Sequence, residues 1–231
     1  MVLAGPGLLS CAGLTPPEAR GGLWDRFDPV RCATPEALER TPAEAWEALG
    51  TWLALTGQAL DKPQGPSRAH RALASLVSAG KVRGVVCTTT DGLVRRCGVE
   101  KVAELYGAID KLRCVECRAR SAVDSYAGAP PICQACGGRL RPDMVLFGEE
   151  ISRRPRELAA GWVYGGRSLL ALGADLTRPP VHRIPDEMFQ EGGTVISVGE
   201  VEAGAIARVR GIALTGPMDR VLPRLVEAVL G

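Results

Sequence analysis

The chain has 231 residues and a mass of 24.4 kDa, of which 46% are hydrophobic and 23% charged. Those proportions exclude disorder over the whole length and describe a globular chain able to bury a core. Net charge is +2, basic and acidic residues are interspersed, and aromatics reach only 4%, which excludes a nucleic-acid footprint or a base-stacking surface. No apolar run approaches the roughly 18–20 residues needed to cross a bilayer, so no membrane partner is expected.

Residues 1–13 are apolar and Gly-rich but lack a basic leader, so they read as a first strand and loop rather than a signal peptide. The apolar Val2 to Ala4 runs directly into Gly5-Pro6-Gly7. Residues 34–60 carry helical signals: Thr34 before Pro35-Glu36, and Thr41 before Pro42, each look like an N-cap followed by Pro at the first helical position. Residues 61–67 form a polar, Pro-containing loop. Residues 69–77 are amphipathic and end at Gly80, a C-cap signal. Residues 82–88 are apolar and β-branched, as a buried strand requires. Residues 169–172 and Thr194–Val198 are two further strands, each beside a Gly-rich turn, and residues 219–230 are a capped amphipathic helix. Strands alternating with helices predict a parallel, doubly wound α/β sheet.

Residues 114–138 differ in kind, with four cysteines, a Gly-Ala-Pro-Pro turn at 128–131 and little periodicity. Cys114-x2-Cys117 and Cys133-x2-Cys136 stand 15 residues apart. Each pair puts two thiolates on one tight turn, and two such knuckles close a tetrahedral site for zinc. Two redox dithiols or four buried thiols are the other readings of the same residues. A full set of four sulfurs leaves no open position for water, so the metal is expected to be structural. Cys11, Cys32, Cys87 and Cys97 have no such spacing and read as core or loop residues. With no leader peptide, the expected compartment is the cytoplasm, where eight cysteines do not form a disulfide framework.

These residues, taken together, resemble the sirtuins, the NAD-dependent protein-lysine deacylases. Gly5-Pro6-Gly7 through Gly13, followed by Gly22-Leu23-Trp24, is similar to the family's first glycine loop. Thr88 to Gly92 resembles the catalytic loop, and Glu104-Leu105-Tyr106-Gly107 the catalytic-histidine motif. The paired knuckles follow, then Gly138 to Glu149, with Val145-Leu146-Phe147-Gly148-Glu149 similar to the substrate-docking strand. The likeness runs in order over essentially the whole chain. It implies a Rossmann-like large domain (1–23, 66–112 and 142–231) with a helical module (24–65) and a zinc-ribbon module (113–141) inserted. NAD and an acyl-lysine peptide would meet in the cleft between domains, where a parallel sheet places its ligands.

What the resemblance implies about the site is altered at the chemistry. Tyr106 stands where sirtuins carry the histidine general base, and a phenol of pKa about 10 is protonated near pH 7. Thr88-Thr89 replaces Gln-Asn, leaving Thr89 where the ribose-orienting Asn sits, while Asp91, the nicotinamide-recognising residue, is kept. Pro17-Glu18 aligns with the cofactor-holding Phe-Arg pair. The Gly-Thr-Ser motif reads Gly173-Ala174-Asp175. At ~4 Å and an effective dielectric of about 20, each new carboxylate would repel a phosphate charge by about 4 kcal/mol before screening. Gly5, Gly7 and Gly173 are the remaining candidate cofactor contacts, although Pro6 removes one N–H donor and the turn also reads as purely structural. Leu49 and Trp52 replace the Tyr-x-x-Arg pair of desuccinylating sirtuins, which disfavours an acidic acyl group. Of the two histidines, His70 reads as structural and His182, beside Pro179-Pro180, as a loop residue within possible reach of the cleft. Val145, Phe147 and Gly148 are the expected peptide contacts, by β-augmentation.

The expectation is a degenerate sirtuin, a pseudoenzyme with zinc and fold kept and deacylation weak or lost, acting as a binding module for an extended peptide or acylated-lysine protein. NAD binding is expected to be weak or absent. The alternative is an active NAD-dependent deacylase or ADP-ribosyl transferase in which Asp91 and Tyr106 carry the chemistry.

Overall fold

The structure, a computed structural model, describes residues 1–63, 66–123, 125, 130–199 and 203–231. Residues 64 and 65 of the polar loop, and 128 and 129 of the Gly-Ala-Pro-Pro turn, lie outside the described residues. The chain opens with β1 (Val2–Ala4) and α1 (Pro6–Cys11), then α2 (Leu23–Arg26), α3 (Pro29–Cys32), α4 (Pro35–Arg40) and the long α5 (Pro42–Leu60). It continues through α6 (Arg68–Ser78), β2 (Val85–Cys87), α7 (Leu93–Arg96), β3 (Val102–Glu104), β4 (Gly107–Cys114), β5 (Arg120–Ala122) and β6 (Leu140–Met144). The last part is α8 (Arg153–Val163), β7 (Ser168–Leu172), α9 (Ile184–Gln190), β8 (Thr194–Val198), α10 (Ala203–Arg208), β9 (Ile212–Leu214) and α11 (Met218–Leu230).

The principal sheet runs β3-β2-β1-β7-β8-β9, all parallel. Counted within that sheet the order is 3-2-1-4-5-6, the doubly wound Rossmann arrangement expected from the sequence. Its order reverses between β1 and β7, so a crevice opens at the carboxyl ends of those two strands. Period-two alternation divides the core. Leu3, Val86, Leu169, Ala171 and Val195 face one side with α8, α9 and α10, while Val2, Val85, Leu170 and Leu172 face the other with α6 and α11. A second, antiparallel sheet, β5-β4-β6, carries the cysteine knuckles. A third core joins α5 (Leu49, Trp52, Leu53) to Leu9, Leu93 and Ile109, locking the helical segment against β4.

Several local expectations change. Residues 6–11 form a short helix, because Pro6 supplies the first-turn φ and loses no helical hydrogen bond there. Thr34 caps α4 by accepting from the Ala37 N–H. Thr41 makes no such cap: its hydroxyl points back to the Arg31 and Ala37 carbonyls. The strand expected over 82–88 is confined to Val85–Cys87. Asp219 does not cap its own helix; its carboxylate accepts the Ala69 N–H at 2.8 Å and so completes the N-terminus of α6. His70, the next residue, is 2% exposed, with Nδ1 2.9 Å from the Ser67 hydroxyl.

Between β1 and β7 the backbones nearly touch. A Cβ on Gly5 would lie 2.4 Å from the Ala174 Cα, and one on Gly7 2.7 Å from the Gly173 Cα. Gly5→Ala is therefore expected to destabilise the fold by about 1–3 kcal/mol or more, read by urea unfolding. Burial holds the His70 imidazole at about 4 against an ordinary 6.5, with the Asp219 charge opposing. Its folded value is depressed, so the unfolded chain takes the proton first as pH falls. Stability is complete above roughly pH 6.5 and drops towards pH 4 by up to about 3 kcal/mol. Urea melts at pH 7 and pH 5 should differ accordingly, and His70→Asn should flatten the slope.

Candidate functional site

The crevice widens into a cleft of about 730 Å³ between the principal sheet and the helical segment. Thr88, Thr89 and Thr90, from the loop after β2, form its floor, and Tyr106, from the tight turn between β3 and β4, forms one wall. Gly107 makes that turn possible: its φ is +70°, and a Cβ there would sit 2.1 Å from the Asp143 carbonyl oxygen. Trp24, Trp52 and Phe147 also line the cleft. Trp24 and Phe147 meet edge to face, with centroids 5.8 Å apart and planes at 76°. The Trp52 indole donates to the Thr90 hydroxyl at 3.2 Å, pinning α5 to the floor.

Burial raises the Tyr106 hydroxyl above its ordinary 10, and the carboxylate of Glu18 raises it further. Tyr106 and Glu18 both line the cleft. Neither histidine lines it: His70, on α6, is buried, and His182 has a buried Nδ1 without a hydrogen-bond partner. The cis Pro179-Pro180 pair and Val181 line the cleft in place of His182. Asp91 sits behind the floor, 3% exposed, its carboxylate accepting the Leu93 N–H at 2.7 Å. Burial raises its pKa, with the Thr89 and Leu93 hydrogen bonds working the other way.

The β1–α1 turn spends its donors internally. Gly5 N–H bonds the Leu172 carbonyl at 3.0 Å, Gly7 N–H the Gly173 carbonyl at 2.9 Å and Leu8 N–H the Gly5 carbonyl at 3.0 Å, and Pro6 has none. Gly173, at φ +54°, receives Gly7 rather than facing an open cradle. Asp175 corrects the expected charge balance. Its carboxylate accepts from Thr177, which holds its pKa below the ordinary value, and pairs with Arg178 at 3.0 Å. The guanidinium three residues on offsets the charge the sequence leaves bare.

The segment expected to dock a peptide is likewise engaged. Val145 N–H bonds the Tyr106 carbonyl and Phe147 N–H the Ala33 carbonyl, at 2.9 and 2.8 Å. Glu149 accepts the Leu146 N–H at 2.9 Å and two bonds from Arg141, each 2.6 Å. Burial disfavours its charge, but the Arg141 hydrogen bonds prevail and keep its pKa low. Gly148, at φ +88°, keeps an N–H free of hydrogen bonds among the described residues.

Sequence reading missed the cleft roles of Trp24 and Arg178. The signal for the last was present: an Arg three residues after an Asp. A larger groove, of about 940 Å³, lies between β3, β6 and α8, and three of its acids are met by bases, Glu104 by Arg95 and Lys111, Asp143 by Arg120 and Glu149 by Arg141.

At the end of the second sheet, the four sulfurs of Cys114, Cys117, Cys133 and Cys136 lie within 4.8 Å of one another. Cys114 and Cys136 Sγ are 3.5 Å apart, and Cys117 and Cys133 Sγ 3.7 Å. A zinc tetrahedron with bonds of about 2.3 Å has edges near ~3.8 Å, so thiolate chemistry and spacing both fit zinc. The knuckle turns are built for it: Gly137 takes φ +73° and bonds the Cys133 carbonyl, and Cys133 N–H bonds the Gly138 carbonyl, both at 2.8 Å.

Fold and site together define a Rossmann-type protein with a four-cysteine ribbon and a cleft at the sheet's switch point. Residues 6–177 match the model of the Sir2 family. The chain is 36% identical over 230 residues to the NAD-dependent protein deacylase 2 of Pyrobaculum aerophilum, covering 99% of this chain and 90% of that one. It is 31% identical over 236 residues to the NAD-dependent protein deacylase of Pyrococcus abyssi, covering 99% and 92%. A crystal structure of a Sir2 homologue with NAD superposes with a TM-score of 0.85 at 26% identity, covering 99% of this chain and 88% of that one. The chain belongs to the Sir2, or sirtuin, family.

Among the described residues no helix is long and apolar enough to cross a membrane. Purified protein is expected to carry about one zinc per chain, measured by metal analysis. Chelation should expose residues 113–141 to protease before the rest of the chain, and zinc should restore protection.

Proposed function

We propose that this sirtuin-family protein has weak or no deacylase activity and serves as a binding module for an extended peptide. The observation that carries the reading is that Tyr106 and Glu18 line the cleft while neither histidine does. A phenol raised above 10 is a proton donor near neutral pH rather than a base. The cofactor side agrees. The donors of the β1–α1 turn are spent, and Glu18 offers a carboxylate where a diphosphate needs a cation. These residues do not fit NAD, and no chemical step is derived through it.

The peptide would approach Val145, Phe147 and Gly148. Because the Val145 and Phe147 N–H groups already have acceptors, the remaining donor for an added strand is Gly148 N–H. In this reading residues 1–23, 66–112 and 142–231 act as the large domain, 24–65 as the helical module and 113–141 as the ribbon, with β4 and β6 as the seam. The eight free thiols agree with a reducing, cytoplasmic setting.

A second reading, an active NAD-dependent deacylase or ADP-ribosyl transferase, is favoured by the names of the relatives and by the retained Asp91. It would need Asp91 to reach the cleft from behind its floor. Titration calorimetry with millimolar NAD separates the two. Little heat, and no nicotinamide release on acylated peptides, is expected; micromolar affinity with nicotinamide release would overturn the proposal. The triple variant Tyr106→His, Thr89→Asn, Glu18→Arg should gain NAD binding by at least about tenfold if these positions are what removed it.

A further inference from the structure

The cleft concentrates aromatic surface. Trp24, Trp52, Tyr106 and Phe147 line it, four rings in a chain that is only 4% aromatic. Its charged lining residues are Glu18, Glu149, Asp175 and Arg178. Two of the three acids are neutralised: Glu149 is gripped by Arg141, and Asp175 is paired with Arg178. Glu18 has no ion pair among the described residues, yet its charge is felt at the Tyr106 hydroxyl. One carboxylate without an ion pair among the described residues thus lines a pocket together with four aromatic side chains and Pro6, Pro16 and Pro17.

Such a pocket discriminates by charge. A cation gains from the quadrupole of each ring and from the carboxylate, and gains more as neighbouring apolar walls exclude water. An amide-capped side chain of similar length gains neither term and leaves Glu18 facing a neutral group. The same features oppose phosphates and carboxylates, which fits the misfit with a dinucleotide.

We propose that the cleft receives the positively charged side chain of a lysine, unmodified or N-methylated, presented by an extended peptide, in preference to an acylated lysine. This rests on the peptide-binding reading above and names the side chain that such a peptide would insert. The ammonium sits between Glu18 and the rings of Tyr106, Trp24 and Phe147, and the alkyl stem runs along Trp52 and the prolines.

The test uses the zinc-loaded full chain and three peptides of one sequence, with a central lysine left unmodified, trimethylated or acetylated. Binding is read by tryptophan fluorescence and by calorimetry. Both cationic peptides are expected to bind at least about tenfold tighter than the acetylated one. Salt should weaken the unmodified peptide. Glu18→Gln, a near-isosteric change at an exposed position, should shrink the preference several-fold, and Glu18→Arg should abolish it. Wild-type protein alone decides the outcome if a variant misfolds. Equal or tighter binding of the acetylated peptide overturns this proposal and leaves peptide docking standing. An unchanged preference in a folded Glu18→Gln protein overturns it as well. Failure of all three peptides to bind removes the docking reading and this one with it.

Discussion

Where β1 ends against the end of β7, the two backbones approach so closely that no side chain fits between them. Gly5 and Gly7 lie against Gly173 and Ala174 at distances a Cβ could not tolerate. That contact joins the two halves of the doubly wound sheet at the point where strand order reverses. It also determines where the crevice opens and which groups can furnish it. Since the turn's N–H groups bond across the seam, the backbone there is committed to holding the sheet together. Recognition is left to side chains brought from elsewhere: Glu18 from the loop after α1, Tyr106 from the β3–β4 turn, Trp52 from α5 and Phe147 from the loop after β6.

The charges follow a consistent pattern. Acids with a structural task are paired at short range: Asp110 with Arg95, Glu149 with Arg141, and Asp219 with the N-terminus of α6. Buried carboxylates without such partners would be costly, and Asp91 meets that cost with the Leu93 N–H and a raised pKa. Glu18 departs from the pattern because it is exposed to the cleft, where water offsets the absence of a partner. A ligand that displaces this water must replace what it provided, which makes the carboxylate a filter on what can enter.

The cysteine cluster and the cleft sit on different parts of the chain. The ribbon keeps its spacing, its left-handed Gly137 and its sulfur tetrahedron, so the second sheet can be held by metal whatever happens in the cleft. Thr88, Thr89 and Tyr106 occupy loop positions whose backbones are fixed by β2, β3 and Gly107. Side chains there can change without disturbing the scaffold.

Much of this was legible in the residues alone. Alternating apolar strands and capped helices specified the parallel sheet, and the two Cys-x2-Cys pairs specified the ribbon, because period and spacing are local properties of the chain. The motif order likewise pointed to Tyr106, Glu18 and Asp175 as positions expected to depart from the family pattern, the expectation on which the proposed function rests. Tertiary structure alone decided what those positions face. Thr41 and Asp219 have cap-like neighbours in sequence, yet one points back to carbonyls and the other caps a helix 150 residues away. His182 does not line the cleft, while Trp24 and Trp52 do. Pairing, exposure and shared walls depend on where distant segments meet, and that information resides in the packing of the sheet rather than in any stretch of the chain.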